Sequence, residues 1–287
     1  MDWISRLNEA IGYIEDNLTD EVDVEVAARI ACCSTFHFIR MFTYIAGVSL
    51  SEYVRRRRLT MAALEIQRKA GKIIDIALRY GYESPTAFTR AFHTIHGISP
   101  SAAKRPGTSL NAYPRMHFSM AVTGGTRMEY RIERKEGFRI VGLKRRFSVI
   151  DDACYADIPQ FWQQVIAQGS MPKLLGLLDG EPAGLLGVCG PMEGKEFDYL
   201  IGVPSGQEDV GPFVPYDIQA MTWAIFPCIG AMPSAIQDLQ KRVLTEWLPT
   251  SGYAYADAPD IEVYFEGDQR SPAYRSEVWL PIRRMES

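Results

Sequence analysis

VDVEVAARIACCSTFHFIRMFTYIAGVSL, residues 22–50, aligns without a gap on KIIDIALRYGYESPTAFTRAFHTIHGISP, residues 72–100. Nine of the 29 positions are identical: Ala27/Ala77, Arg29/Arg79, Ser34/Ser84, Phe38/Phe88, Arg40/Arg90, Phe42/Phe92, Ile45/Ile95, Gly47/Gly97 and Ser49/Ser99. A short unit that recurs is one local structure built twice. Helical spacing of the apolar positions predicts helices over 24–31 and 35–46 in the first copy and over 73–79 and 84–96 in the second. Asp23 or a neighbour caps the first helix of the first copy and Ser34 its second, and Gly47 and Gly97 close the second helix of each copy. A first helix over 4–18 precedes the repeat, and a 21-residue helix over 50–70 joins its halves. At about 1.5 Å per residue the joining helix spans about 31 Å, close to the ~34 Å of one turn of B-DNA. That length suits two helices entering successive major grooves.

A generic helical bundle would leave Arg40 and Arg90 as solvated charges. The recurrence of the same outward Arg after the same turn, across a spacer of suitable length, points instead to DNA. In the first copy Phe38, Met41, Phe42 and Ile45 form the apolar face. Thr35, Phe36, Ile39 and Arg40 face elsewhere, and an outward Ile39 suits a helix that meets thymine methyls. The matching outward set of the second copy is Pro85, Thr86, Thr89 and Arg90.

A chain of 287 residues suggests two domains. Residues 1–107 hold 14 Lys/Arg against 12 Asp/Glu, and residues 108–287 hold 17 against 23. Pro100, Pro106, Gly107, Pro114 and Gly124-Gly125 mark a change of character. The expected organisation is an all-α domain over 1–107, a linker over 108–125, and a second domain over 126–287. No apolar run is long enough for a membrane span, and no secretory signal stands at the start. Five cysteines without a C-x-x-C pattern predict reduced thiols in a cytoplasmic protein. Cys32-Cys33 with His37 poorly suits a metal, and neither metal nor cofactor is expected.

The second domain mixes elements. Strands are predicted over 130–134 and 138–144 around a Lys-Glu-Gly turn, then 185–189, 198–203, 219–226, 261–265 and 276–282. Helices are predicted over 157–168 and 233–247. The order β-α-β-β occurs twice, giving an α+β domain with a duplicated unit. In the last strand Glu277 and Trp279 share a face; Glu262, Tyr264 and Glu266 share one in the strand before; Met221 and Trp223 share one in 219–226. Acids and aromatics on matching faces are the composition of a site for an apolar organic cation. The strand pattern equally fits a solvated Glu277 beside a half-exposed Trp279.

The first segment resembles the DNA-binding domain of AraC/XylS-type transcription regulators. The resemblance rests on Ala27-Ala28…Ser34…Phe38-x-Arg40-x-Phe42 and on Ile76-Ala77-x-x-x-Gly81-Tyr82-x-Ser84-x-x-x-Phe88-x-Arg90-x-Phe92…Gly97-Ile98-Ser99-Pro100. It implies that the third and sixth helices enter adjacent major grooves. The implied base readers are Thr35, Phe36, Ile39, Arg40, Pro85, Thr86, Thr89 and Arg90, with Arg56, Arg57, Arg58 and Lys72 on phosphates. The second domain resembles GyrI-like effector-binding domains on Gln219-Ala220-x-x-Trp223-Ala224-Ile225-Phe226-Pro227, Ile261-Glu262-Val263-Tyr264-x-Glu266-Gly267 and Glu277-Val278-Trp279-Leu280-Pro281-Ile282. It implies an acid at Glu277, ringed by Trp223, Tyr264, Trp279 and Tyr199, that binds a lipophilic cation. The expectation is a ligand-responsive transcription regulator with double-stranded DNA, a small effector and RNA polymerase as partners, and not an enzyme. Some proteins of this fold hydrolyse small molecules with a Glu and an aromatic hydroxyl, so the alternative is such a hydrolase fused to a DNA-binding domain.

Overall fold

The computed structural model describes residues 3–33, 35–119, 127–148, 153–193, 196–256 and 258–284. Ser34, read above as a helix cap, lies outside them. The chain divides into two units, Met1–Ala121 and Val122–Ser287.

The first unit contains α1 (Trp3–Asp16), α2 (Val24–Ile30), α3 (Thr35–Ala46), α4 (Leu50–Gln67), α5 (Ile73–Arg79) and α6 (Pro85–His96). Local chemistry sets the boundaries. The Asp23 carboxylate accepts from the Glu25 and Val26 amides and caps α2. Ser49 caps α4 through the Glu52 amide. Ser84 caps α6 through Ala87 N, with Pro85 pre-set in the first turn. Gly47 and Gly97 take φ of +67° and +72° where α3 and α6 end. The joining helix is shorter than its sequence suggested. It stops at Gln67, Lys69 is left-handed at φ +56°, and 18 residues span about 27 Å.

The two copies differ at the turn. In the second, Tyr82 N donates to Ala77 O and Gly81 is left-handed. In the first, Cys33 N donates to Ala28 O and Cys32 is left-handed, one position later in the alignment. Ala31 stands where the second copy has Gly81, so the first copy moves its turn to the next residue.

The core of the second copy joins Leu59, Ala62, Ala63 and Ile66 of α4 to Ile76, Ala77 and Tyr80 of α5 and Phe88, Phe92 and Ile95 of α6. A polar network lies beside the first copy. Arg57 Nη2 reaches Glu15 Oε2 at 2.7 Å, and both side chains are nearly buried, at 10% and 8% exposure. Tyr53 donates to the same carboxylate at 2.6 Å. Burial raises the Glu15 pKa, but the hydrogen bonds from Arg57 and Tyr53 and the Arg57 charge outweigh it and hold the carboxyl below its usual range.

Residues 108–118, read from sequence as linker, are packed on this unit. Arg57 Nη1 donates to Tyr113 O, and Tyr113 N donates to Thr60 Oγ1. Asn8 exchanges two hydrogen bonds with the Phe118 backbone, and the Phe118 ring meets Phe42 edge-on at 5.9 Å. The segment is a strap held against the helices rather than a free tether.

The second unit contains β1 (Arg131–Lys135), β2 (Phe138–Ser148), α7 (Ala153–Ala167), α8 (Met171–Leu175), β3 (Leu185–Glu193), β4 (Glu196–Pro204), β5 (Val214–Ile218), β6 (Met221–Ile229), α9 (Ser234–Arg242), β7 (Tyr253–Tyr255), β8 (Asp260–Tyr264) and β9 (Arg275–Arg284). Its antiparallel sheet runs β1-β6-β9-β8-β3-β4-β2-β5, with β7 on β9. The units β2-α7-β3-β4 and β6-α9-β8-β9 fill this order as mirror sequences about the β8–β3 pair. The Lys-Glu-Gly segment does not make the expected hairpin. β1 pairs with β6, and β2 pairs with β4 and β5, so each half lends its leading strand to the other. On one sheet face Ile140, Leu186, Val188, Leu200, Ile218, Trp223, Ile225, Ile261, Val263 and Trp279 bury one another. The other face carries the contacts to α7 and α9, including Phe147–Phe161 and Gln240–Glu262.

Candidate functional site

Of the two helices expected to face DNA, α6 has the more open outward side. Pro85, Thr86, Thr89 and Arg90 are all exposed, while Phe88, Phe92 and Ile95 are turned into the core. Thr89 Oγ1 donates to Pro85 O at 2.8 Å, which leaves the hydroxyl oxygen of this exposed side chain as an acceptor. Helix α3 differs. Thr35 and Arg40 are half-buried, and Arg40 Nε meets Tyr44 Oη at 3.3 Å with its guanidinium 5.7 Å from the Tyr44 ring. The Phe36 side chain lies outside the described residues. Ile39 is buried at 6% exposure, which corrects its expected outward position. An Ile on the flank of an apolar helix is more stable covered than wet, by roughly 2 kcal/mol.

The side chains of the arginine run have partners within the protein. Successive helical residues are turned by 100°, so four adjacent arginines project in four directions. Arg57 is the buried partner of Glu15. Arg58 donates to Leu18 O and Asp20 O at 2.8 and 2.6 Å and lies beside Gly81. Arg56 pairs with Glu52 and covers the Tyr113 ring at 4.8 Å. Of the four expected phosphate ligands, Lys72, at the start of α5, stays exposed.

The expected effector ring separates into two clusters on opposite sheet faces. The β8–β9 register pairs Val263 with Glu277 and Tyr264 with Ser276. Directly opposed residues share a face, so Glu277 and Tyr264 do not. Glu277 lies with Trp279 and Trp223 on the face that forms the apolar core. Its two oxygens receive Arg131 Nη1 and Nη2 at 2.7 and 3.1 Å, and Trp279 Nε1 donates at 2.7 Å. Trp223 and Trp279 meet edge to face at 5.7 Å, and Lys135 covers Trp279. This is a carboxylate already neutralised by a two-pronged arginine.

On the helix-bearing face, Glu262, itself not predicted as a ligand, gathers the other predicted aromatics and two further residues, Trp162 and Gln240. Tyr264 Oη donates to Glu262 Oε2 at 2.8 Å, and Tyr199 Oη lies 3.5 Å from the same oxygen. Trp162 of α7 donates to Tyr199 Oη at 3.0 Å and packs edge to face on Tyr264 at 5.3 Å. Gln240 of α9 donates its amide to Glu262 Oε1. Burial, then the Glu262 charge, pushes both tyrosine pKa values far up, so both stay protonated. Glu262, Tyr264 and Trp162 remain partly exposed, whereas Tyr199 and Gln240 are buried.

Glu262 stands at the centre of the duplication. Its direct partner across the β3–β8 pair is Gly187, the residue that holds the matching place in the first half. A Cβ at Gly187 would fall well inside van der Waals contact of Tyr199 Oη and 3.1 Å from Glu262 Oε2. A scaffold built twice therefore carries one acid, and the glycine opposite leaves the room for it. The signal available in the sequence was the Glu262-x-Tyr264 spacing, which put both on one face.

Among the described residues no group of three or more His, Cys, Asp or Glu could hold a metal, and no helix is long and apolar enough to cross a membrane.

Residues 128–283 match the GyrI-like small molecule binding domain family, and residues 27–105 match a helix-turn-helix domain. The transcriptional regulator Rob of Salmonella typhimurium is 25% identical over 99% of this chain and 100% of its own length. The transcriptional activator AarP of Providencia stuartii is 37% identical over 37% of this chain and 79% of its own. The structure of SAV2435 bound to tetraphenylphosphonium superposes with a TM-score of 0.51 at 27% identity, over 54% of this chain and 94% of that one. The chain thus belongs to the GyrI-like small molecule binding domain family, joined here to an AraC-type helix-turn-helix domain in a transcription regulator.

Proposed function

We propose that this regulator answers a lipophilic cation held at Glu262, and that Glu277 serves the fold. The observation that carries the reading is a partly exposed carboxylate set among Trp162, Tyr199 and Tyr264. Both Glu262 oxygens accept hydrogen bonds from side chains of the protein. What the cluster asks of a ligand is positive charge and a surface that rests on ring faces. The SAV2435 complex, which holds such a cation, supports this reading. On DNA, α6 would read bases through Pro85, Thr86, Thr89 and Arg90, and α3 through Thr35, Phe36 and Arg40. Ile39 is withdrawn from that set, and Lys72 is the phosphate contact.

Calorimetric titration with tetraphenylphosphonium tests the site. Glu262→Gln should weaken binding tenfold or more, while Glu277→Gln, if folded, should stay within about threefold of the parent. The reverse ranking would return the site to the Glu277 face. A second reading is favoured by one distance, the 2.8 Å between protonated Tyr264 and Glu262, which supplies the acid and aromatic hydroxyl of a hydrolase. Turnover of activated aryl esters that vanishes in both Glu262→Gln and Tyr264→Phe would establish it.

A further inference from the structure

Gln240 is the one member of the Glu262 cluster contributed by α9. Its side chain is buried at 4% exposure, and its amide N–H is directed at Glu262 Oε1. It stands near the end of the regular helix, two residues before Arg242. The next turn, Val243–Trp247, changes to π-helical hydrogen bonding. Insertions of this kind carry a local loss of helix regularity and recur at functional sites. The turn ends in Trp247, which packs against Phe226 at 4.9 Å, Tyr130 at 5.1 Å and Tyr253 at 6.2 Å. One short element thus connects the carboxylate to an aromatic cluster on β6 and to Tyr130, immediately before β1.

We propose that Gln240 is an internal stand-in for the effector: it occupies Glu262 Oε1 in the ligand-free protein, and the cation displaces it and loosens the turn that follows. This rests on the reading of Glu262 as the effector anchor. Its physical basis is competition for one oxygen. An amide N–H is a neutral donor that satisfies the carboxylate without cancelling its charge. A full positive charge brought against the same oxygen wins by Coulomb attraction in partly desolvated surroundings. A buried amide that loses its charged acceptor is costly, and movement of α9 away from the sheet lowers that cost. Binding energy at Glu262 is so converted into a shift of the segment 240–247, the differential contact that a two-state response requires.

Hydrogen exchange on the whole chain, with and without tetraphenylphosphonium, tests the displacement without any substitution. Exchange at the backbone amides of 241–247 should speed up several-fold on binding, although ligands usually protect what they touch. Slower or unchanged exchange there, with binding confirmed, would overturn the stand-in. Gln240→Leu supplies the second measurement. It removes the competitor and should tighten tetraphenylphosphonium binding about tenfold, the scale of one hydrogen bond to a charged acceptor; weaker binding would make Gln240 a ligand contact and also overturn the proposal. Binding that survives Glu262→Gln at parent affinity is the separate result that removes the anchor, and the stand-in with it.

Discussion

Gly187→Ala probes the centre of the effector cluster with a single methyl group. The added Cβ cannot coexist with Tyr199 Oη and would press Glu262 Oε2 at 3.1 Å. Tyr199 is buried, tied to Trp162, and meets Phe147 edge-on, so its ring has little room to retreat. Glu262 is held at its other oxygen by Gln240. Overpacking at such a place costs about 1–3 kcal/mol. In a domain of this size each kcal/mol lowers the unfolding midpoint by about 2–4 °C, so the second unit should melt roughly 2–12 °C earlier. Displacing Tyr199 also removes part of the ring wall, and tetraphenylphosphonium binding should weaken about fivefold or more, equivalent to roughly 1 kcal/mol of one lost contact. Differential scanning calorimetry and calorimetric titration on the full chain read the two effects. Gly176→Ala is the matched control, since a Cβ there meets carbonyl oxygens at 3.4 Å from a right-handed backbone. Gly187→Ala with parent melting and parent affinity would refute the close packing of Gly187, Tyr199 and Glu262 on which the site rests.

Arg90→Ala should cost about 1–3 kcal/mol of specific over non-specific DNA binding, and Arg40→Ala less, because Arg40 is partly engaged with Tyr44; equal losses in competition gel shifts would contradict this ranking. Lys72→Ala should lower the slope of log affinity against log salt by about 1, a change absent if Lys72 points away from phosphate. Arg57→Met should leave that slope unchanged in whatever fraction folds, yet destabilise the first unit by about 3–5 kcal/mol in urea titrations, because Glu15 is left charged and buried. The Glu15 carboxyl titrates lower folded than unfolded, so its stabilisation is fully present above the ordinary carboxylate pKa near 4.3 and fades as pH falls through the folded value. Glu15→Gln should flatten that acid limb, and an unchanged limb would remove Glu15 as its source. Ile39→Ala should lower stability by about 2–5 kcal/mol with no change in base preference, and a shift of preference would restore Ile39 to the DNA surface.

Local patterns carried much of this. The fifty-residue repeat gave both helix-turn-helix units, and Gly47 and Gly97 marked where α3 and α6 end, while the caps at Ser49 and Ser84 emerged only in the fold. The outward face of α6 followed from its period alone. Reading failed where the answer depends on a distant partner. Alternation tells which residues of one strand share a face, but only the β8–β9 register decides that Glu277 opposes Val263 and leaves Tyr264. Arg56, Arg57 and Arg58 read as a basic run because their partners, Glu52, Glu15 and the Leu18 and Asp20 carbonyls, are apparent only once α4 is packed. The β1–β2 turn had hairpin chemistry, yet each strand found its partner far along the chain, β1 on β6 and β2 on β4 and β5. Gln240 gave no signal, since a Gln on a helix is ordinarily solvated.

The exchange of leading strands has a consequence for how the second unit can be taken apart. A cut in the loop 205–213 separates the two duplicated halves in the chain, but β5 on β2 and β1 on β6 keep each piece clasped by the other. Neither fragment alone has a complete sheet, so each exposes an edge that the other was made to cover. A nicked domain should therefore behave as an intertwined heterodimer: it should travel as one particle, come apart only on denaturation, and reassemble from separately made fragments.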